Sequence, residues 1–340
     1  MNSVVDVIIP TFRPDSSFEE VIERIKKQTI VPENIIIVNT IPRPVKKNGT
    51  KGKVINFGEK QEQESLDYIV CKDGARLYLA DKSSKPRITI YNITQDEFDH
   101  GATRDYAIAM SDAQYIMLMS QNTLPLDRHL IENLIMPFTD KSIACTYGRQ
   151  FCGKDADVIE KYAMATNFPK QDRVKSGADL KNLGIRTYFC SNSCAMYRRS
   201  VYNELGGFDF RTIFNEDMVF GAKIIDNGYK IAYVSKAKVR HYQKYNLKQT
   251  LQRNFDQGVL NRQYKELFKI TKGGNETSLV LKDAVKYLVK TGNASLVPRV
   301  LLMDIIEEVG YDAGYNYEKI PAVFIKKLTM NKEYWRRNKY

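Results

Sequence analysis

Asn215-Glu216-Asp217 sets two carboxylates in succession at the expected start of a helix. The helix dipole favours acids there, so plain capping is one reading. The other is that one carboxylate faces a pocket and takes a proton from a hydroxyl held within hydrogen-bond reach. Three more stretches carry side chains that could serve such a pocket. EFDHGATRDYAIAMS, residues 97–111, puts Arg104 in the first turn of a helix, just after Gly101, whose bare Cα allows close backbone approach. A guanidinium there can pair with a diphosphate, or with Asp99 or Asp105 at the surface. Pro10-Thr11-Phe12-Arg13 lies between a strand and a helix. Backbone N–H groups and an arginine at that place suit a phosphate or a base edge, unless the segment is an ordinary turn. YIMLMSQNTLP, residues 115–125, ends an apolar run in Ser120-Gln121-Asn122, a serine and two uncharged amides.

These stretches fall at or just beyond the ends of expected strands. The β-branched run Val4 to Ile9 stops at Pro10, and the 115–120 run reads as a strand buried on both faces. Ser16-x-x-Glu19 predicts a capping box, followed by Phe18, Val21, Ile22 and Ile25 at helical spacing. With Ile35–Val38 as the next strand, the unit is βαβ, which implies a parallel sheet. Ligand sites of such sheets lie at the carboxyl ends of their strands. The segment from Pro42 to about Lys85 is expected to be an insertion carrying a hairpin, with strands near Tyr68–Cys71 and Leu77–Ala80. A helix is expected from about Thr103 to Met110, and another from near Asn215 to the Asn227-Gly228 stop. Ile231 to Val234 reads as a late strand. Beyond about Lys244 the pattern is mostly helical and basic.

With 340 residues and 43% apolar content, the chain can bury a substantial core. A formal charge of +12 favours anionic partners such as nucleotides, nucleic acid or an acidic lipid surface. Nucleic acid is disfavoured, because no reading helix, zinc pattern or aromatic RNA platform accompanies the charge. Met1 leads directly into VVDVIIP, expected to be a core strand rather than a signal peptide. The sequence has no apolar run of about 18 residues that could span a membrane. Five cysteines without CxxC spacing are expected to be reduced thiols in a cytoplasmic protein.

In order along the chain, PTFRP, FDHGATRDYAI, YIMLMSQNTLP, FCSNSCAMYRRSVYNELGGFD, NEDMVFGAKIIDNGYKIAYV and VRHYQKY resemble family 2 glycosyltransferases. More narrowly they look like the bacterial rhamnosyltransferase branch, in which HGxTR and a late histidine recur. The resemblance covers about residues 3 to 260. It implies an α/β GT-A fold, with a mostly parallel central sheet flanked by helices and a helical, basic C-terminal region. It divides the chain into a nucleotide-sugar-binding half (1–125), an acceptor-binding half (126–260) and a helical extension (261–340). It also implies roles. Thr11, Arg13 and Asn39 would surround the base and ribose, and Arg104 the ribose or diphosphate. Gln121 and Asn122 take the position that usually binds sugar and metal, while Ser191 and Asn192 would line the donor-sugar or acceptor side. Asp217 would be the general base, with Glu216 beside it. His241 would complete the metal or diphosphate site together with a divalent cation, Mg²⁺ or Mn²⁺.

The implied reaction is a single inverting displacement from a nucleotide sugar, dTDP-β-L-rhamnose, onto a hydroxyl of a cell-surface polysaccharide or lipid-linked glycan. One departure stands out. The family usually has aspartate at position 122, and an amide is a weaker ligand for a hard cation. A catalytically weak nucleotide-sugar-binding module of a glycan-assembly complex, or a transferase using a UDP-hexose, are therefore the alternatives. Loops such as 152–181 are expected to choose the acceptor. Lys326, Lys327, Lys332, Arg336, Arg337 and Lys339, mixed with Phe324, Leu328, Tyr334 and Trp335, suit peripheral contact with an anionic membrane face.

Overall fold

The computed structural model describes residues 4–42, 68–153, 155–241, 244–268 and 276–337. Part of the expected 42–85 insertion, and Lys339 of the basic cluster, lie outside the described residues. The first half runs β1 (Val5–Thr11), α1 (Phe18–Lys26), β2 (Asn34–Ile41), the hairpin β3 (Ile69–Val70) and β4 (Arg76–Leu77), β5 (Arg87–Thr94), α2 (His100–Ala109) and β6 (Tyr115–Met119). The second runs β7 (Leu124–Pro125), α3 (Leu130–Ile135), β8 (Ile143–Phe151), α4 (Val158–Asn167), β9 (Arg173–Lys175), α5 (Leu180–Leu183), β10 (Cys194–Arg198), α6 (Arg199–Glu204), α7 (Glu216–Asp226) and β11 (Lys230–Arg240). Helices α8 (Leu247–Gln263), α9 (Lys265–Phe268), α10 (Glu276–Lys290), α11 (Val297–Tyr315), α12 (Ala322–Leu328) and α13 (Lys332–Arg337) follow.

The main sheet has the order β5-β2-β1-β6-β10-β8-β11-β7, with β9 on β11. From β5 to β6 every pairing is parallel, while β10 runs antiparallel between β6 and β8. Strand period 2 sorts the apolar runs onto two faces. Val5, Val7 and Ile9 of β1 and Met117 and Met119 of β6 join Phe18, Val21, Ile22 and Ile25 of α1 on one side. Ile8, Ile116 and Leu118 join Ala107 and Ile108 of α2 and Val219, Phe220 and Ile224 of α7 on the other. The continuous apolar runs are thus explained by helices covering both faces.

Local chemistry shifts two expected helix starts. The Ser16–Glu19 capping box does not form: α1 begins at Phe18, and the Asp15 carboxylate accepts the Ser17 N–H instead (3.1 Å). Strand β1 runs on through Pro10 and Thr11, and Phe12 and Arg13 bend away from it, so this stretch is not a helix start. Helix α2 begins at His100, earlier than expected, because Asp99 caps the N–H groups of Gly101 and Ala102.

The C-terminal helices share the core. Trp335 and Tyr334 are buried, with Trp335 against Phe255 and Tyr317, and burying such a side chain stabilises by about 1.5–3 kcal/mol. This corrects the expectation that both aromatics face a bilayer; apolar contacts from α8 outcompete a surface role. Arg337, exposed like Lys326 and Lys327, donates to the Gln95 carbonyl (3.2 Å). Among the described residues no helix is long and apolar enough to cross a membrane.

Candidate active site

At the carboxyl ends of the parallel strands and the start of α7 lies a cleft of about 650 Å³. Its walls include Arg104, Asn122, Asn192, Glu216, Asp217 and His241, brought together from five separate stretches of sequence. The residue before α7, Asn215, has left-handed backbone angles (φ 52°, ψ 38°), which asparagine tolerates better than most side chains. Its amide donates to Gln257 Oε1 of α8 (2.8 Å), which holds that conformation. The sharp entry puts Glu216 and Asp217 in the first turn, and their surroundings then separate them.

Glu216 is buried. Its Oε1 accepts from the Asn192 amide (2.9 Å) and pairs with Arg104 Nη1 (3.1 Å). Burial pushes this carboxyl up, but the Arg104 charge and the Asn192 hydrogen bond outweigh it and hold it below the usual range. Asp217 has no such cation. Its Oδ2 accepts the Asn192 backbone N–H (2.9 Å), its Oδ1 the Met218 N–H (2.8 Å). Burial, then the neighbouring Glu216 charge, push it up to about 6. Two adjacent acids are thus set apart: one is fixed in a buried ion pair, the other is half-buried at the cleft wall with a pKa near neutrality. The surface pairing of Arg104 with Asp99 or Asp105 does not occur. Gly101 does permit a close approach, but to protein backbone: a Cβ there would stand 2.2 Å from the Asp209 carbonyl oxygen.

His241 enters the cleft just after β11. Its Nδ1 lies 3.0 Å from Gln150 Oε1, while Gln150 Nε2 donates to Ser191 Oγ (2.8 Å). The Gln150 oxygen accepts, so His241 donates from Nδ1 and keeps a lone pair on Nε2. Burial, then the Arg253 charge, push its pKa down to about 4, so the ring is neutral at pH 7. Ser191 is thereby occupied in orienting this chain of groups, and Asn192 is the one of the pair that lines the cleft.

Thr11, Arg13, Asn39 and Gln121, expected to hold the donor, are not among the residues lining this cleft. Thr11 of β1 donates to Asn39 of β2 (3.2 Å), which donates to Asn92 of β5 (2.8 Å), and all three are buried at matching registers of adjacent parallel strands. Asn92 Nδ2 has no hydrogen-bond partner among the described residues. Arg13 is exposed with φ 42°. The Gln121 amide accepts from Phe12 N (2.7 Å) and donates to Phe12 O (3.2 Å), which clips the bend after β1 to the end of β6. Asn122 is exposed at the cleft. Among the described residues no three His, Cys, Asp or Glu side chains gather as a metal cage.

Sequence reasoning missed Asn92, Gln150 and the α8 wall. On α8, Thr250, Arg253, Asn254 and Gln257 all line the cleft, with Arg253 lying over the rings of Phe214 (5.0 Å) and Tyr245 (5.6 Å). Their i, i+3, i+4, i+7 spacing, opposite Phe255, Val259 and Leu260, was the available signal.

This arrangement, a base-like acid beside a buried ion pair at the strand ends of an α/β sheet, fits a transferase acting on a hydroxyl. Residues 3–258 match the family described as Glycosyltransferase like family 2, and the chain belongs to it. The protein is therefore a glycosyltransferase with the GT-A fold. Over 339 residues it is 34% identical to the O-antigen chain rhamnosyltransferase RfbN of Salmonella typhimurium (strain LT2), covering 99% of this chain and 97% of that one. It is 36% identical over 285 residues to the O-antigen chain rhamnosyltransferase WbaN of Salmonella anatum, covering 83% and 90%. Among solved structures, the mannosyltransferase PcManGT from Pyrobaculum calidifontis, in complex with GDP-Man and Mn²⁺, superposes with a TM-score of 0.54 at 12% identity, covering 94% and 88%. That last likeness is one of fold.

Proposed function

We propose that the protein is an inverting rhamnosyltransferase that moves L-rhamnose from dTDP-β-L-rhamnose onto a hydroxyl of a polysaccharide or lipid-linked glycan. The observation that carries the reaction type is Asp217: a carboxylate at the cleft wall, oriented by two backbone N–H groups and with a pKa of about 6. Ionised at pH 7, it takes the acceptor proton as that oxygen attacks the anomeric carbon and the nucleoside diphosphate leaves from the opposite face. The product linkage is then α. The two Salmonella relatives, both named O-antigen rhamnosyltransferases, support the sugar and the polysaccharide acceptor.

In this reading Thr11, Asn39, Asn92 and Arg13 serve the base and ribose, and the unpartnered Asn92 Nδ2 suits an acceptor atom of the base. Arg253, a cleft cation held between two aromatic rings, stabilises the departing diphosphate alongside Arg104. A divalent cation would be weakly held here, with the His241 Nε2 lone pair and the Asn122 amide oxygen as the groups that would hold it. When bound it adds positive charge beside the leaving group. Thermal shift and transfer assays with dTDP-L-rhamnose, UDP-hexoses and GDP-mannose test the donor. The largest stabilisation and turnover are expected with dTDP-L-rhamnose. A clear preference for a UDP-hexose would overturn the rhamnose reading and leave the glycosyltransferase intact.

A further inference from the structure

Helix α11 carries Met303, Glu307, Gly310 and Gly314, spacings that put all four on one helix face. The glycines bring that face against α8. A Cβ at Gly310 would stand 2.5 Å from the Leu251 carbonyl oxygen and 3.2 Å from Asn254 Cβ, and one at Gly314 1.9 Å from the Phe255 carbonyl oxygen. The α8 turn that receives Gly310 also lines the cleft through Thr250 and Asn254, and one turn back along α11 Met303 and Glu307 line it too. The helix is anchored at its start as well. Arg299 pairs with Asp157, the cap of α4 (2.7 Å), and Tyr287 of α10 stacks on Tyr162 of α4 (4.5 Å). The α4 helix contributes Glu160, Met164 and Asn167 to the cleft.

The charges on this wall are one-sided. The arginines lining the cleft are Arg104, held by Glu216, and Arg253, on α8 between its two rings. The α4 and α11 wall offers carboxylates. Glu160 is engaged by the Asp157 N–H (2.7 Å) and Lys244 (3.8 Å), whereas Glu307 has no hydrogen-bond or ion-pair partner among the described residues. Glu307 is exposed at the cleft, where partial desolvation and then the neighbouring Asp304 raise its pKa. Carboxylates beside the half-buried Met164 and Met303 suit a sugar: the first accept hydroxyl protons, the second pack against C–H faces. A second anion would be repelled.

On the glycosyl-transfer reading above, we infer that α11 completes the acceptor side of the cleft. Glu307 is then a specificity-determining residue, accepting hydrogen bonds from hydroxyls of a neutral hexose acceptor and rejecting a hexuronate. The test uses the full chain, its nucleotide-sugar donor, and matched panels of octyl hexosides and octyl hexuronides. Wild type is expected to glycosylate a neutral hexoside and to discriminate against its uronate partner. Glu307→Ala should raise acceptor KM about tenfold or more while donor Kd, read by calorimetry, stays put. Glu307→Lys should narrow or invert the neutral-over-uronate preference, a readout that a merely structural role would not move. Unchanged acceptor KM and preference in both variants, or no transfer to any neutral hexoside by wild type, overturns the inference. Failure of wild type to bind or transfer from any nucleotide sugar instead sinks the functional reading on which it rests.

Discussion

Two regions of the molecule handle polarity in opposite ways. At the ends of β1, β2, β5 and β6 the chain sets hydroxyls and amides, Thr11, Asn39, Asn92, Gln121 and Asn122, mostly satisfied by one another or by backbone. At the start of α7, lining the cleft, it sets two acids and a guanidinium in a buried network with Asn192. Neutral amides can recognise a ligand with little rearrangement of charge. Proton transfer needs a group whose charge can change, and the α7 wall supplies one by pairing Glu216 with Arg104 and leaving Asp217 unpaired. On the proposed reading, the division between recognition and chemistry is a division between where charge is absent and where it is concentrated.

The largest break in that comparison comes from removing the titratable group. Asp217→Asn preserves size and can still meet its neighbours, but it cannot accept a proton. Transfer should fall about 10²-fold or more at saturating acceptor, while donor Kd changes little. Glu216→Gln, which leaves Arg104 without its counter-charge, should lower thermal stability as well as rate. Near-normal turnover of Asp217→Asn would mean that the α7 wall does not hold the base.

A smaller effect follows from pH. Asp217 works as a base only when ionised, and its carboxyl titrates at about 6. The rate should therefore rise with pH through 6 and level off near 7, lying about tenfold below its plateau at pH 5. Glu216 is held below the usual range and His241 titrates at about 4, so neither moves this limb. A kcat–pH profile in wild type checks it; a flat profile between pH 5 and 7 would assign the step to another group.

How much of each wall was legible differs for a physical reason. The parallel strands were readable because helices cover both faces of the sheet, which leaves β1, β2 and β6 as unbroken apolar runs bounded by Pro10, Asn39 and Ser120. The α7 wall was readable because its acids adjoin a helix start and its glycine stop is local. What escaped were pairings across long stretches of chain. Gln121 is taken up by Phe12, 109 residues away, and His241 is oriented by Gln150, 91 residues away; no local pattern marks either. Trp335 read as a surface aromatic because its basic neighbours are exposed, whereas its ring is held by Phe255 and Tyr317. The α8 and α11 faces did carry helical spacing, but such spacing is common enough that only their contact with the cleft gives it meaning.

The finest test adds charge to the neutral wall. Asn122 is exposed at the cleft, so an aspartate there needs no repacking and leaves no buried group unpaired. Its amide oxygen is a neutral donor, and a hard divalent cation binds more tightly as ligand charge rises. Asn122→Asp should strengthen Mn²⁺ affinity about tenfold and raise turnover by a smaller factor, because the added charge acts on the metal and not on the base. His241→Ala removes the Nε2 lone pair and should weaken Mn²⁺-dependent donor binding in both backgrounds. Mn²⁺ titrations of donor binding and turnover in the four combinations separate these effects. If both substitutions act through one cation, the gain from Asn122→Asp shrinks when His241 is absent, since two ligands of one ion are coupled. Equal gains with and without His241 would place the two residues at independent sites. An unchanged metal dependence in Asn122→Asp would mean that the amide wall meets the donor without any cation at the end of β6.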